Sequence, residues 1–390
     1  MTACAIEAAA QHEDDAAGPP QLTIAADGSY AARLAGEGEA LYPERWTLDG
    51  PEPYAVPLPL DQPEERDTQL LPLADGRVLV ARRVAGRFAF SLLYPAGPGT
   101  GELPLGAVEA ESVRLLPPPP DGSSVYALVA GERSSGIWQV AGGAFGPEHV
   151  AEVRGRCTGG AWLDRSGRLL ALDREQDDGG PVKAVAVDLE RGGEVTPLLQ
   201  ITDESHDRLL LADPDSGLLL IRSDAPSPGR PRLGWGVLGS ARPVRFPECL
   251  RAGDASLTPF AVQPGQVLTP EGCAVALRMD AAAGRWIGVW RPAARRLVQL
   301  PAPEGWFAGA GTWTPDGVLL LPYATATVPC GLARVEGVPE ALVPDVPKPT
   351  AAAPREERPA GGPSGEPAAP AVCRPVPLQQ APLTGRAAPG

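Results

Sequence analysis

Residues 160–193 read GAWLDRSGRLLALDREQDDGGPVKAVAVDLERGG, and this stretch decides the fold. Three short apolar segments are separated by a turn that ends at Gly167 and by a polar loop. Apolar segments on both sides of a glycine turn are typical of β-hairpins, because glycine accepts the positive φ of a tight turn. The predicted strands are residues 160–164, 168–173, 182–189 and, just beyond the stretch, 195–201.

The same arrangement occurs six more times along the chain. Turns of the type Asp-Gly, Ser-Gly or Glu-Gly, each between two apolar runs, recur at spacings of 45 to 55 residues. The turn glycines are Gly28, Gly76, Gly122, Gly167, Gly217, Gly272 and Gly317. A period of about 48 residues with four strands in each period indicates a repeat protein.

Many of these strands are unbroken apolar runs, such as LLLI at 218–221 and VLLL at 318–321. Such runs are buried on both faces, as in sheets that are stacked face to face. The sequence therefore predicts an all-β protein, a seven-bladed β-propeller of four-stranded antiparallel blades over residues 21–346. Six or eight blades remain alternatives, because the first unit is weak and the fifth is long.

Each predicted blade begins with an inner strand directly before its turn and ends with an outer strand. The last outer strand is predicted at residues 341–346, so the final blade would be complete without an N-terminal strand. A strand from residues 2–11 could still join it, and the mode of ring closure is left open. The predicted inner strands are 22–26, 69–74, 113–117, 160–164, 208–213, 266–270 and 311–315.

The two ends of the chain differ in composition from the repeats. Residues 1–20 are predicted to be a flexible segment. Residues 347–390 contain 11 Pro, 10 Ala and 5 Gly. Such a segment buries too little apolar surface to offset the entropy of ordering, so a disordered tail is predicted.

Charge and cysteine content exclude several classes of function. The net charge of −14 argues against binding to nucleic acid or to anionic membranes, both of which require basic surfaces. The six cysteines are far apart and never at CxxC spacing, which predicts reduced thiols and no zinc site. The N-terminal residues lack the basic and apolar regions of a secretory signal, so a cytoplasmic protein is predicted.

Three repeat units carry a family resemblance. GTWTPDGVLLL at 311–321 and LLPLADGRVLVARR at 70–83 resemble the WD-like repeat of TolB-type propellers, as does the stretch at 160–193. The resemblance covers roughly residues 20–346 and implies a propeller with a protein-binding role. The sequence departs from typical WD-repeat proteins, because it contains neither Gly-His nor Trp-Asp.

The sequence shows no constellation that is typical of an enzyme. Propellers of the prolyl oligopeptidase type carry a hydrolase domain with a G-x-S-x-G elbow, and this motif does not occur. The three histidines, His12, His149 and His206, are scattered over different parts of the chain. We therefore predict a non-catalytic protein that needs no cofactor. An enzyme or a small-molecule binder that uses the central channel is the alternative, and a TolB-like envelope protein is another.

The acidic loop at residues 173–179 resembles a calcium loop in its alternating carboxylates. Calcium requires six or more oxygen ligands, and Pro181, Val182 and Ala184 occupy the positions where further ligands should come. A solvated loop is therefore predicted, and no metal site.

Arginines recur near the end of the second strand of several units. Equivalent positions of a propeller repeat around its ring, so these side chains would form a basic ring on one face. Guanidinium groups pair with carboxylates, so an acidic protein or peptide would be a fitting partner, although solubility alone also explains charged strand ends. The predicted binding arginines are Arg82, Arg133, Arg174, Arg222 and Arg278, which Arg83, Arg87, Arg154 and Arg230 could join.

One aromatic pair is a further candidate for partner binding. Trp306 and Phe307 lie in a loop between two predicted strands, whereas the other tryptophans lie on or beside strands and are assigned to packing. An exposed aromatic pair would be a binding hot spot, and burial of the pair is the alternative. The sequence thus predicts a non-catalytic propeller scaffold that binds a protein or peptide through its loop face.

Overall fold

The protein is described by a computed structural model, which covers residues 21–131, 133–175, 179–251 and 253–337. Contacts divide the chain into two units, Met1–Pro344 and Asp345–Gly390, and every described residue belongs to the first unit. The segment 1–20, the strand predicted at 341–346 and the tail 347–390 lie outside the described residues. Within the described ranges, no helix has the length and apolar character needed to cross a membrane.

The described residues form consecutive groups of antiparallel strands. Each of the first four groups contains four strands that are hydrogen-bonded in chain order. Groups 1 and 2 comprise Thr23–Ile24 (β1), Tyr30–Ala35 (β2), Tyr42–Thr47 (β3), Tyr54–Pro57 (β4), Gln69–Pro72 (β5), Val78–Val84 (β6), Arg87–Ala96 (β7) and Gly99–Glu109 (β8). Groups 3 and 4 comprise Val113–Leu115 (β9), Val125–Ala130 (β10), Ser134–Ala141 (β11), Glu148–Arg154 (β12), Arg156–Trp162 (β13), Leu169–Glu175 (β14), Val182–Asp188 (β15) and Glu194–Leu199 (β16).

Three further groups complete the described part of the chain. A parallel pairing of Lys183 with Asp207 joins group 5 to group 4 in one sheet, and the fourth position of group 5 holds only a single bridge between Trp235 and Arg245. Group 6 has four strands and group 7 has three within the described residues. These groups comprise Asp207–Ala212 (β17), Leu218–Ser223 (β18), Arg232–Val237 (β19), Ser256–Val262 (β20), Val275–Ala281 (β21), Gly284–Trp290 (β22), Val298–Pro301 (β23), Thr312–Trp313 (β24), Leu319–Tyr323 (β25) and Gly331–Val335 (β26).

The inner strand predicted for the sixth unit is wrong. Residues 266–270 form no strand, and a short 3-10 helix at Pro270–Gly272 follows them. Strand β20 pairs with β21 instead, so a long connection replaces the tight turn that Gly272 indicates. Strand β20 reads SLTPFAV. Its Ser, Thr and Pro interrupt the apolar pattern, so a search for apolar runs does not detect this strand.

The turn at Gly167 explains why the same residues recur at the turns. Gly167 adopts a φ of 72°, in the left-handed region that glycine favours. The carboxylate of Asp164 accepts hydrogen bonds from the backbone N–H groups of Arg168 at 3.0 Å and Leu169 at 3.2 Å. An acid at the start of the turn thus satisfies the donors that the turn exposes. Strand β15, which follows, is buried along its whole length, as its apolar run predicts.

Apolar packing closes the series of groups. Each group shares a buried cluster with the next, and group 7 shares one with group 1. That last cluster contains Leu22 and Trp46 from group 1, Ala310 from the connection before β24, and Leu332 from β26. The sheets thus form a β-propeller of antiparallel blades, as predicted. The number of seven blades stays a prediction, because hydrogen bonds alone divide the described residues into six sheets.

Candidate functional site

The antiparallel groups have two ends, which differ in the loops they carry. At one end, here called the upper end, each inner strand begins and each second strand finishes. The connections from one group to the next also lie there. The tight turns such as the one at Gly167 lie at the lower end. All of the predicted binding arginines lie at the upper end, because each one follows or closes a second strand.

Arg82, one of these predicted binding residues, is already occupied by two carboxylates. Its guanidinium donates to Glu64 at 2.7 Å and to Glu102 at 2.7 Å. Burial alone would raise the pKa of Glu102, but hydrogen bonds from Arg82 and Ser91 hold the pKa below its usual value. Arg82 therefore joins the connection before β5 to strands β6 and β8, and little of its charge is left for a partner.

Two other predicted arginines also make internal contacts, and a third is half-buried. Arg278 pairs with Asp280 at 2.6 Å, and Arg222 donates to the carbonyl oxygen of Leu257 at 3.4 Å, which links two groups. Arg174 is half-buried, and its buried Nε atom has no hydrogen-bond partner among the described residues. All three side chains are half-buried, so they do not form the open basic ring that the sequence predicts.

Exposed arginines of groups 2, 3 and 4 form a different surface at the upper end. Arg133 is the one residue among the five predicted arginines that belongs to it. Arg114 and Arg156 were not predicted, because they begin inner strands instead of ending second strands. The members of this surface, here called the arginine face, are Arg83, Arg87, Arg114, Arg133, Arg154 and Arg156, and all six are exposed.

A buried serine fixes three members of the arginine face relative to one another. The hydroxyl group of Ser135 donates to the carbonyl oxygen of Gly155 at 3.1 Å and accepts from the N–H of Cys157 at 2.8 Å. The N–H of Gly155 donates to the carbonyl oxygen of Arg133 at 2.8 Å. The segment from Arg154 to Arg156 is therefore bound to Arg133 and to the start of β11, which follows it.

Glycine is required at position 155 for this arrangement. Its φ is +96°, and a Cβ atom there would lie 2.5 Å from the carbonyl oxygen of Glu175. A larger residue would be strained and would push the two neighbouring arginines away from β14. The backbone thus presents Arg154 and Arg156 at the point where groups 3 and 4 meet.

Carboxylates are also present near the arginine face, but they are fewer. Glu109, Glu111 and Glu152 are exposed at the same end of groups 2 and 3. Glu152 accepts a hydrogen bond from Ser134 at 2.5 Å, and the exposed carboxylate of Asp67 lies 4.0 Å from Nε of Arg83. In a chain with a net charge of −14, six exposed arginines beside these four exposed carboxylates make a local basic surface.

The predicted hot spot at Trp306 is wrong. Trp306 is 7% exposed, its indole N–H donates to the carbonyl oxygen of Ala310 at 2.7 Å, and its ring packs against Phe260. The loop folds back because the backbone of Trp306 bridges to Tyr323. Phe307 is half-buried and lies edge-on to Trp46 at 5.4 Å between ring centres.

Phe307 also lines a cleft at the upper end, between groups 1, 2 and 7. The cleft has a volume of about 470 Å³, which is within the range of small-ligand sites. Sequence reasoning could not find it, because its walls come from residues almost 300 positions apart. The lining residues are Gln21, Ala32, Arg33, Leu34, Leu41, Arg66, Thr68, Leu70 and Phe307.

The inner strands contribute packing residues and arginines rather than acids. Leu71 and Trp162 are buried in clusters between groups, and Leu210 is half-buried. Arg208 donates to Thr158 at 3.2 Å on the neighbouring inner strand. The one acid on the inner strands, within the described residues, is Asp207, which is buried.

No metal cluster is evident in the described part of the chain, where no three His, Cys, Asp or Glu side chains converge. In the loop that resembles a calcium site, Asp173 is buried and accepts from the N–H of Leu209 at 2.9 Å. Asp177 and Asp178 of that loop lie outside the described residues. The cysteines Cys157, Cys249, Cys273 and Cys330 are free thiols, and burial raises the pKa of Cys157 to about 11.

No family model matches the sequence, and no curated protein matches it. Several solved structures are similar to this chain in fold. Hydrazine synthase from Kuenenia stuttgartiensis is 13% identical and has a TM-score of 0.51, over 82% of this chain and 96% of that chain. TolB from Acinetobacter baumannii is 11% identical with a TM-score of 0.39, over 80% and 81% of the two chains. The β-propeller domain of the Trilobed protease from Pyrococcus furiosus is 10% identical with a TM-score of 0.48, over 80% and 91%.

These likenesses concern the fold. At identities this low, the activities of the similar proteins cannot be assigned to this chain. The structures similar to it include TolB, the family that the sequence repeats resemble.

Proposed function

We propose that this chain is a non-catalytic β-propeller that binds an acidic segment of a partner protein through the arginine face. One observation carries the proposal: six exposed arginines gather on three consecutive groups of a strongly acidic chain. Guanidinium groups bind carboxylates with two parallel hydrogen bonds, so a segment rich in Asp or Glu fits this surface.

The energetics favour several contacts at once. A single exposed ion pair contributes only about 0.2–1 kcal/mol, so one arginine would hold no partner. Six arginines that are positioned by folded strands contribute together, and their field also accelerates encounter with an acidic segment. The proposal therefore requires an extended partner segment that reaches from group 2 to group 4.

The positions of the other arginines support this choice of surface. Arg82 and Arg278 already pair with carboxylates, so their replacement would disturb the fold as well as any binding. Arg83, Arg87, Arg133 and Arg156 are exposed, and the contact of Arg83 with Asp67 is long, at 4.0 Å, so these four offer a cleaner test. Arg242 and Arg295 are also exposed but lie in connections at the lower end, which makes them matched controls.

Affinity capture from the native lysate tests the proposal. We expect the wild-type chain and the control variant with Arg242→Glu and Arg295→Glu to capture the same defined protein. The variant with Arg83→Glu, Arg87→Glu, Arg133→Glu and Arg156→Glu should lose it, while its thermal unfolding stays close to wild type. Equal capture by both variants would contradict the assignment of the arginine face.

The cytoplasm is the proposed compartment, on the grounds of the sequence alone. Cell fractionation of the untagged chain tests it. Recovery in an envelope fraction would favour a TolB-like location instead.

A further inference from the structure

A second site lies apart from the arginine face, in the cleft between groups 1, 2 and 7. Its walls are about half polar and half apolar. The apolar half comes from Ala32, Leu34, Leu41, Leu70 and Phe307, and the polar half comes from two arginines, Gln21 and Thr68. A cleft of about 470 Å³ has the size of a small-ligand site, and this lining suits a ligand with one charged and one apolar part.

Arg33 is held in a fixed orientation in this cleft. Its Nε donates to Oε1 of Glu44 at 2.7 Å, and Glu44 also accepts the indole N–H of Trp46 at 2.7 Å. The guanidinium lies 5.4 Å from the ring centre of Trp46 and 5.1 Å from that of Phe307. The terminal nitrogens of Arg33 have no hydrogen-bond partner among the described residues.

Arg66 supplies the second cation of the cleft. It is exposed, and its one hydrogen bond within the described residues goes to the carbonyl oxygen of Gly38 at 3.3 Å. No carboxylate of the described part lies within ion-pair distance of Arg66. Since Glu44 offsets the charge of Arg33, the lining carries one uncompensated positive charge.

The rim of the cleft limits how much negative charge a ligand can carry. The two loops that hold Gly38 and Arg66 also carry the exposed carboxylates of Glu37, Glu39, Glu65 and Asp67. A ligand with several negative charges would be repelled by these groups. A single carboxylate would be repelled least, and it could still pair with Arg66.

We propose that the cleft binds one carboxylate joined to an apolar group. The carboxylate would accept hydrogen bonds from the terminal N–H groups of Arg33 and pair with Arg66. The apolar group would lie against Leu34, Leu70 and Phe307. A free apolar monocarboxylic acid and the C-terminus of a peptide that ends in Leu or Phe share this chemistry.

Titration calorimetry with the full chain tests the site. The probes are 4-phenylbutyrate, its neutral amide, and a hexapeptide that ends in Leu with either a free or an amidated C-terminus. Loss of a charge-assisted pair should weaken each neutral probe about tenfold or more relative to its charged counterpart. Binding of phenylbutyrate alone identifies a small-molecule site, and binding of the free-acid peptide identifies a chain terminus.

Matched variants locate the binding in the cleft. Arg33→Lys keeps the charge beside Glu44 but loses the paired N–H groups, and Arg66→Gln changes only an exposed side chain. Both should weaken the charged probe, whereas Arg295→Gln at the lower end should leave its affinity unchanged. Equal affinity for charged and neutral probes would overturn the proposal. So would the absence of binding by all four probes, or unchanged affinity in both cleft variants.

Discussion

The ammonium nitrogen of Lys183 lies 2.8 Å from Oδ2 of Asp207, in a pair that is almost fully buried. Lys183 also donates to the carbonyl oxygens of Thr202 and Ser205, each at 2.5 Å. The three donors of the ammonium group thus all have acceptors. The pair lies where group 4 is joined to group 5, and it accounts for one of the two lysines in a chain whose other cations are arginines.

Replacing Lys183 should therefore be costly. Lys183→Met leaves the charge of Asp207 buried without its partner, and removal of one member of a buried pair costs about 3–5 kcal/mol. Urea unfolding of the full chain measures the loss. The exposed pair of Arg191 and Glu194 is the control, and Arg191→Met should cost less than about 1 kcal/mol. Similar costs for the two variants would show that the buried pair does not join the groups as described.

The same pair predicts a dependence of stability on pH. Burial alone would raise the pKa of Asp207, but hydrogen bonds from Lys183, Ser223, the N–H of Ile201 and Ser205 lower it overall. A lowered carboxyl pKa stabilises the folded chain above the ordinary pKa of aspartate, and this contribution is lost as the pH falls through the lowered pKa.

The difference in unfolding free energy between wild type and Asp207→Asn should thus be constant from pH 7 to about pH 5 and shrink below about pH 4. Urea unfolding at a series of pH values checks this. A difference that grows as the pH falls would contradict the direction of the shift.

Trp306 should act on stability and not on binding. It fills the cluster between groups 6 and 7, so Trp306→Ala should cost about 3–5 kcal/mol in unfolding free energy. The folded fraction should capture the partner as well as wild type does. If the Trp306→Ala variant keeps its stability but no longer captures the partner, Trp306 is the binding hot spot that the sequence predicts.

Ser135 should affect the arginine face without changing its charge. Ser135→Ala removes the bridge between Gly155 and Cys157, and each buried group left without a partner costs about 1–3 kcal/mol. Because Arg133, Arg154 and Arg156 lose their common support, affinity for an acidic peptide should fall together with stability. Ser166→Ala, at an exposed position in the lower-end turn before Gly167, should change neither. An unchanged affinity in Ser135→Ala would mean that this support is not needed for binding.

The sequence was sufficient for the strand repeat, because turn glycines and apolar runs are local features. It failed at β20, where Ser256 and Pro259 interrupt the apolar pattern. The connection from β20 to β21 also contains Glu271-Gly272, which has the same sequence pattern as the tight turns. The packing of Trp46 with residues of group 7 depends on the closure of the whole ring, which no local pattern records.

The site was predicted only in part, for the same physical reason. An arginine that recurs at the same position of several repeats indicates at which end of the propeller the side chains lie. Only the folded chain shows that Arg82 is paired with a carboxylate and that Arg133 is exposed. Arg114 and Arg156 carried a weaker signal, an arginine at the start of an inner strand. The cleft at Arg33 depends on Phe307, which is distant in sequence and which the sequence assigns to partner binding.

The most direct test of the central claim is the affinity of the full chain for a fluorescein-labelled peptide of six Glu-Ala repeats, measured by anisotropy at increasing salt. We predict binding that weakens with salt, because exposed charges are screened over about 10 Å at 0.1 M. Affinity should fall about tenfold or more when Arg83, Arg87, Arg133 and Arg156 are replaced by Glu. It should be unchanged when Arg242 and Arg295 are replaced by Glu. Equal affinities of the two variants for the peptide, or affinity that is independent of salt, would contradict the account.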